Sequence, residues 1–158
     1  MTDSISDEMK TMADKCVKFT RDMLNIHINF EEESLEAVDK ILDHYYKDRP
    51  KGIGKLFRRG PSPELVNHMS MLFGGYTGEV IRRKCGGQWK VDKEIIPDQE
   101  TIVLEVHGIK MSPTKEVFKR LCNGDGERVY GCYTNLQQKI KQETDNGPKG
   151  SRINNFTF

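Results

Sequence analysis

The chain has 158 residues, 35% of them hydrophobic and 31% charged, with a formal net charge of +1. That length supports one domain with a core of its own, without disulfides or metals to staple it, and the balance excludes a disordered polyelectrolyte. The near-zero total conceals an uneven distribution: Lys47, Arg49, Lys51, Lys55, Arg58 and Arg59 fall within one short stretch opposed only by Asp48, while Glu31, Glu32 and Glu33 stand together elsewhere.

The opening Met1-Thr2-Asp3-Ser4-Ile5-Ser6-Asp7-Glu8 lacks the basic start and apolar run of a secretory signal, and no stretch reads as a membrane span. A cytoplasmic protein with no membrane partner is expected. Cys16, Cys85, Cys122 and Cys132 have no CxxC spacing, so they predict neither a zinc site nor a redox pair.

From Ser6 to Leu24, Met9, Met12, Ala13, Cys16, Phe19, Met23 and Leu24 recur at three- and four-residue steps, which predicts an amphipathic helix. Ile26 to Asn29 reads as a short strand or an extended connector. Asn29 then predicts an N-cap, with Glu32 at the capping-box position and Leu35, Val38, Ile41, Leu42 and Tyr45 following on one face of a second helix to about Lys47. Pro50, Gly52, Gly54, Gly60 and Pro61 mark a basic loop.

Ser62-Pro63 starts a third helix that carries Leu65, Met69, Leu72, Phe73, Tyr76 and Val80 and ends near Cys85-Gly86-Gly87. Alternation in Gln88 to Asp92 and in Thr101 to Val106 predicts two antiparallel strands. Ser112-Pro113 opens a fourth helix bearing Val117, Phe118, Leu121 and Cys122, stopped by Asn123-Gly124-Asp125-Gly126. Val129, Tyr133, Leu136 and Ile140 lie along a last helix. The fold class expected is α+β, about five helices packed on a small, mainly antiparallel sheet, with one domain over 1–143 and a flexible tail over 144–158.

Chemistry is harder to find. Gly74, Gly75 and Gly78 inside a helix each cost about 1 kcal/mol relative to alanine, so something must offset them. Close approach of a neighbouring element is one explanation. The other is room for a ligand beside Tyr76 and Glu79, with Arg82 and Arg83 a turn later supplying positive charge. Glu79 also stands at ion-pairing distance in sequence from both arginines, which weakens it as a general base. His27, His44, His68 and His107 share no ligand spacing, and no nucleophile elbow or complete phosphate loop is present, so neither a metal nor a cofactor is implied. In the basic loop, Lys51, Lys55, Arg58 and Arg59 around Phe57 could grip phosphates with a ring available for stacking.

Ser34-Leu35-Glu36-Ala37-Val38-Asp39, then Gly75-Tyr76-Thr77-Gly78-Glu79-Val80, then Gly87-Gln88-Trp89, resembles uncharacterised bacterial domains with a Ser-Leu-x-x-Val-Asp helix, a Gly-x-Tyr-x-Gly-Glu-Val helix and a Gly-x-Trp strand. The resemblance spans about Asn25 to Val106. It implies that the glycine helix and the tryptophan strand pack as one unit with Trp89 in the core, and it brings no activity or cofactor. Small domains of this kind often act as binding or antitoxin-like immunity modules. A non-enzymatic module for a protein partner, such as a toxin, using the surface around the glycine helix and basic loop, is the expected function. The alternatives are a nucleic-acid or phosphate binder using Lys51, Lys55, Arg58, Arg59, Arg82 and Arg83, and a small enzyme using Glu79 with Tyr76.

Overall fold

A computed structural model describes residues 2–47, 62–96, 99–124 and 128–145. The described residues form five helices and one sheet: α1 (Thr2–Leu24), α2 (Ser34–Lys47), α3 (Pro63–Cys85), β1 (Gln88–Ile96), β2 (Gln99–Val106), β3 (Ile109–Met111), α4 (Pro113–Asn123) and α5 (Val129–Asp145). The sheet order is β1-β2-β3 with both pairings antiparallel, so the α+β arrangement expected from the sequence is the one observed.

The centre is α3. Its start follows from chemistry local to the chain: Ser62 Oγ accepts a hydrogen bond from Leu65 N at 3.2 Å, and Pro63 takes the first turn, where its missing N–H costs nothing. It ends at Gly86, whose φ of 78° lets its N–H reach Arg82 O at 2.9 Å. Between those ends every residue from Leu72 to Ile81 is buried, so this helix is enclosed on all sides and has no solvated face over that length.

Small residues make the enclosure possible. A Cβ on Gly74 would lie 2.5 Å from Thr114 Cα at the start of α4, and one on Gly75 would lie 2.8 Å from Met12 Cβ of α1. A Cβ on Gly78 would overlap the six-membered ring of Trp89, projected from β1. The three glycines therefore admit a helix on each of two sides and an indole on a third. This close approach, with the burial it permits, offsets their unfavourable helix propensity. Around α3 the core continues through Met9 and Cys16 of α1, Leu35 and Leu42 of α2, Leu104 and Val106 of β2, and Val117 and Leu121 of α4.

Several boundaries differ from expectation for physical reasons. Asn29 does not cap α2: its Oδ1 accepts from Glu31 N at 3.2 Å in a local turn, Phe30 sits at a φ of 62°, and the helix begins five residues beyond Asn29, at Ser34. Ile26–Asn29 forms no strand. Strand β3, with 3 residues, is too short to show alternation in the sequence. His107 and Gly108, with φ of 49° and 81°, turn the chain back so that Ile109 pairs with Val106. Helix α5 continues to Asp145, past the position 143 at which the sequence suggested the domain would end.

Gly78→Ala is expected to destabilise the fold by about 3 kcal/mol despite alanine's better helix propensity, because overpacking against a large fixed ring outweighs it. Urea unfolding of Gly78→Ala, Trp89→Leu and the double variant checks this. The double variant should lose less than the sum of the singles, and additivity would show that the two residues do not share the contact.

Candidate functional site

The positions nominated from the glycine helix fall inside the protein or on its rim, and each is engaged by other groups of the fold. Tyr76 is fully buried. Its hydroxyl accepts from Phe30 N at 3.0 Å and lies 2.6 Å from Ser34 Oγ, whose own proton goes to the Glu31 carbonyl, so the phenol is left as donor to Ser34. Both capacities of the hydroxyl are thereby used, and burial raises the phenol's pKa above its ordinary value.

Glu79 is 0% exposed. Oε1 accepts from Arg82 Nε at 2.8 Å and from Trp89 Nε1 at 2.8 Å, and Oε2 accepts from Arg82 Nη2 at 2.9 Å. Burial pushes the carboxyl's pKa up, but the hydrogen bonds from Arg82 and Trp89 and the charges of Arg82 and Arg83 outweigh it and hold Glu79 below the usual carboxylate range. Arg83 lies with its guanidinium carbon 3.6 Å from the centroid of the Phe30 ring, which itself packs against Tyr76 at 5.0 Å between centroids. The four residues form a polar seam, buried at Tyr76 and Glu79 and reaching the surface at Arg82 and Arg83, that closes α3 onto the 25–33 segment and β1. Lys51, Lys55, Arg58 and Arg59 lie outside the described residues.

A cleft of about 900 Å³ opens between β3, α4 and α5, and none of Tyr76, Glu79, Arg82 and Arg83 lines it. Ile109, Met111, Phe118 and Leu136 give it apolar lining, and Lys110, Lys115, Lys119 and Lys139 contribute four ammonium groups against the single carboxylate of Glu116. Phe118 is 42% exposed, because Val117 and Leu121 take the core-facing side of α4 and leave the phenyl ring to the cleft.

Three of the four lysines have partners of different kinds. Lys110 Nζ donates to Asp92 Oδ2 at 2.7 Å, across the sheet, and Asp92 raises its pKa. Lys115 Nζ donates to the neutral hydroxyl of Thr101 at 3.1 Å. Lys119 pairs with Glu116 at 2.9 Å one turn away on α4. On α5, Asn135, Gln138 and Gln142 line the opposite wall with amide groups. The cleft offers apolar contact, amide hydrogen bonding and positive charge, with the Cys132 thiol also in its lining.

The wall formed by α5 is anchored from below. Asp39, buried on α2, accepts from Val129 N at 2.8 Å and Tyr130 N at 3.0 Å, so a carboxylate from another helix caps α5 and meets its positive end. Arg120 of α4, 3% exposed, donates from Nη2 to Asp43 and places Nε 3.9 Å from Asp39 Oδ1. Further along, Tyr133 Oη donates to Glu32 at 2.5 Å and accepts from Gln137 Nε2 at 2.7 Å.

Sequence reasoning missed the cleft. The available signal was the face Lys115, Phe118, Lys119 and Cys122 on α4, an aromatic bracketed by lysines beside the core stripe of Val117 and Leu121.

Among the described residues no group of three or more His, Cys, Asp or Glu could hold a metal ion, and no helix is long and apolar enough to cross a membrane. Among the described residues no disulfide links Cys16, Cys85, Cys122 or Cys132, and burial raises the Cys16 thiol far above its ordinary value. No protein-family model, curated protein or solved structure matches the chain.

Two outcomes follow. Because the Glu79 carboxyl sits lower in the folded than in the unfolded chain, its stabilisation is complete above the unfolded value of about 4.3 and is lost as pH falls through the folded value. Glu79→Gln should cost about 2 kcal/mol near neutrality. Urea unfolding between about pH 7 and about pH 3 should show that difference shrinking as acid is added.

Asp39→Ala removes the cap of α5 and leaves Arg120 with Asp43 alone, at an expected cost of about 3 kcal/mol. Hydrogen exchange should locate the loss first in the amides of α5.

Proposed function

We propose that this chain is a non-enzymatic protein-interaction module whose partner seats in the cleft between β3, α4 and α5. The observation that carries the reading is Phe118, a large aromatic 42% exposed at a concave surface beside Ile109, Met111 and Leu136. Exposed aromatics with apolar neighbours in a recess are the anchors from which protein interfaces draw most of their affinity. The cleft also rests on packed elements: β3 is paired to β2, and α4 and α5 are tied to α2 through Arg120 and Asp39.

The nucleic-acid or phosphate reading draws on Arg82 and Arg83 together with the basic stretch. Arg82 is bound to Glu79 and Arg83 lies over Phe30, so both are engaged within the fold before any ligand arrives. The enzyme reading needs Glu79 and Tyr76 to face a cavity; both are buried with their polar atoms occupied by protein groups.

Phe118→Ala checks the first reading, since loss of a half-exposed side chain should leave the fold intact. Affinity capture from the native host should retain a protein on the wild-type chain and lose it by about tenfold or more on the variant. Equal capture by both would remove the cleft from the interface. Retention of nucleic acid that falls steeply with salt and ignores the Phe118 substitution would favour the phosphate reading.

A further inference from the structure

Resting on the proposal that the cleft is a protein-docking site, we infer the chemistry of what docks: an acidic segment of another protein, with apolar anchors flanked by Asp or Glu. Four lysines contribute to the cleft; Glu116 answers Lys119 and Asp92 answers Lys110, which leaves the charges of Lys115 and Lys139 in excess in a chain whose total is only +1. The apolar lining at Ile109, Met111 and Leu136 and the exposed ring of Phe118 require side chains to fill them, which a phosphate backbone does not supply. Amides of Asn135, Gln138 and Gln142 along α5 add donors and acceptors suited to a peptide backbone.

Lys115 carries the argument furthest. Its hydrogen-bond partner is the Thr101 hydroxyl, so a carboxylate from a partner would exchange a neutral acceptor for a charge-assisted one. Lys139 presents a second ammonium from α5 on the opposite wall, so the two bracket the apolar lining. Rim charges of this kind set encounter rate and partner choice, while the apolar anchor sets residence.

The other occupants available to the cleft fit it less well. The chain's own residues 146–158 contain Ile153, Phe156 and Phe158, but their charged side chains are Lys149 and Arg152, with no Asp or Glu, so they repel the lysines. In a second copy the acidic run at 31–33 is already partly engaged, since Glu31 is paired with Lys84 and Glu32 accepts from Tyr133 within the same chain.

Selection of a random peptide library on the full chain, followed by binding measurements on the enriched synthetic peptides, tests this. Expected are peptides with an aromatic or aliphatic anchor flanked by Asp or Glu. They should bind with dissociation constants of micromolar order, weaken with added salt, and weaken about tenfold or more in Lys115→Glu/Lys139→Glu. The same double variant should recover binding to a peptide whose acids are replaced by Lys.

Enriched peptides that depend on Phe118 but show no acidic bias would overturn the charge assignment and leave the docking site standing. Peptides indifferent to Phe118→Ala would overturn both. Displacement by an oligothymidylate at comparable concentration would reassign the lysines to phosphate. A Phe118-dependent dimer in sedimentation would reassign the face to a second copy, and binding that strengthens about tenfold on removal of residues 146–158 would reassign it to the chain's own terminus. Each of these overturns the inference.

Discussion

The indole of Trp89 lies against Gly78 and donates its N–H to Glu79, the next residue on the same helix. That paired contact fixes the position of β1 on α3 to within the width of a methyl group, since any side chain at Gly78 would occupy the ring's space. A carboxylate buried at Glu79 would be costly alone, but Arg82 forks onto both of its oxygens and Trp89 supplies the remaining donor, so the charge is neutralised where it is buried. The ring and the ion pair depend on one another. The glycine brings the indole close enough to reach the acid, and the acid gives the indole N–H the partner that a buried tryptophan needs.

From this contact the rest of the architecture follows outward. With β1 fixed, the register Trp89↔Leu104 places Leu104 and Val106 of β2 in the core, and the turn at His107-Gly108 returns β3 beside β2. Ser112 then uses its hydroxyl on Ile102 O, at 2.8 Å, instead of capping α4. This ties the start of α4 to the sheet just where Thr114 approaches Gly74. Helix α4 is therefore located by a glycine on one side and a strand on the other, and its outward face, with Lys115, Phe118 and Lys119, becomes one side of the cleft.

Charge is divided between two uses. Around α3, Arg82, Arg83 and Lys84 are engaged with Glu79, Phe30 and Glu31, where they bind the 25–33 segment and the sheet to the helix. Deeper in, Arg120 links α4 to Asp39 and Asp43 of α2, and Asp39 in turn holds the first amides of α5. These groups specify how helices meet. The lysines of β3, α4 and α5 share a recess with apolar side chains, where Lys110 is paired with Asp92, Lys119 with Glu116, and Lys115 donates to the neutral hydroxyl of Thr101. On the proposed reading, a surface assembled from three separately anchored elements would spend little binding free energy on being ordered.

By itself the sequence determined what local chemistry can determine. Ser62-Pro63 set the start of α3, Gly86 and Gly124 ended α3 and α4, and apolar periods of 3.6 and 2 marked the helices and the two longer strands. The three glycines of α3 could be recognised as needing an explanation, while Trp89 in the core was only an implication of the resemblance. Tertiary structure decided which neighbours the glycines admit, that Glu79 and Tyr76 are enclosed rather than presented, and that Asn29 serves a turn while Asp39 caps a helix whose first residue stands ninety positions further along the chain. The cleft belongs wholly to that second group. Its walls come from three elements whose relative placement depends on contacts distant in sequence, and a side chain's spacing along its own helix reports the face it occupies but not what stands opposite.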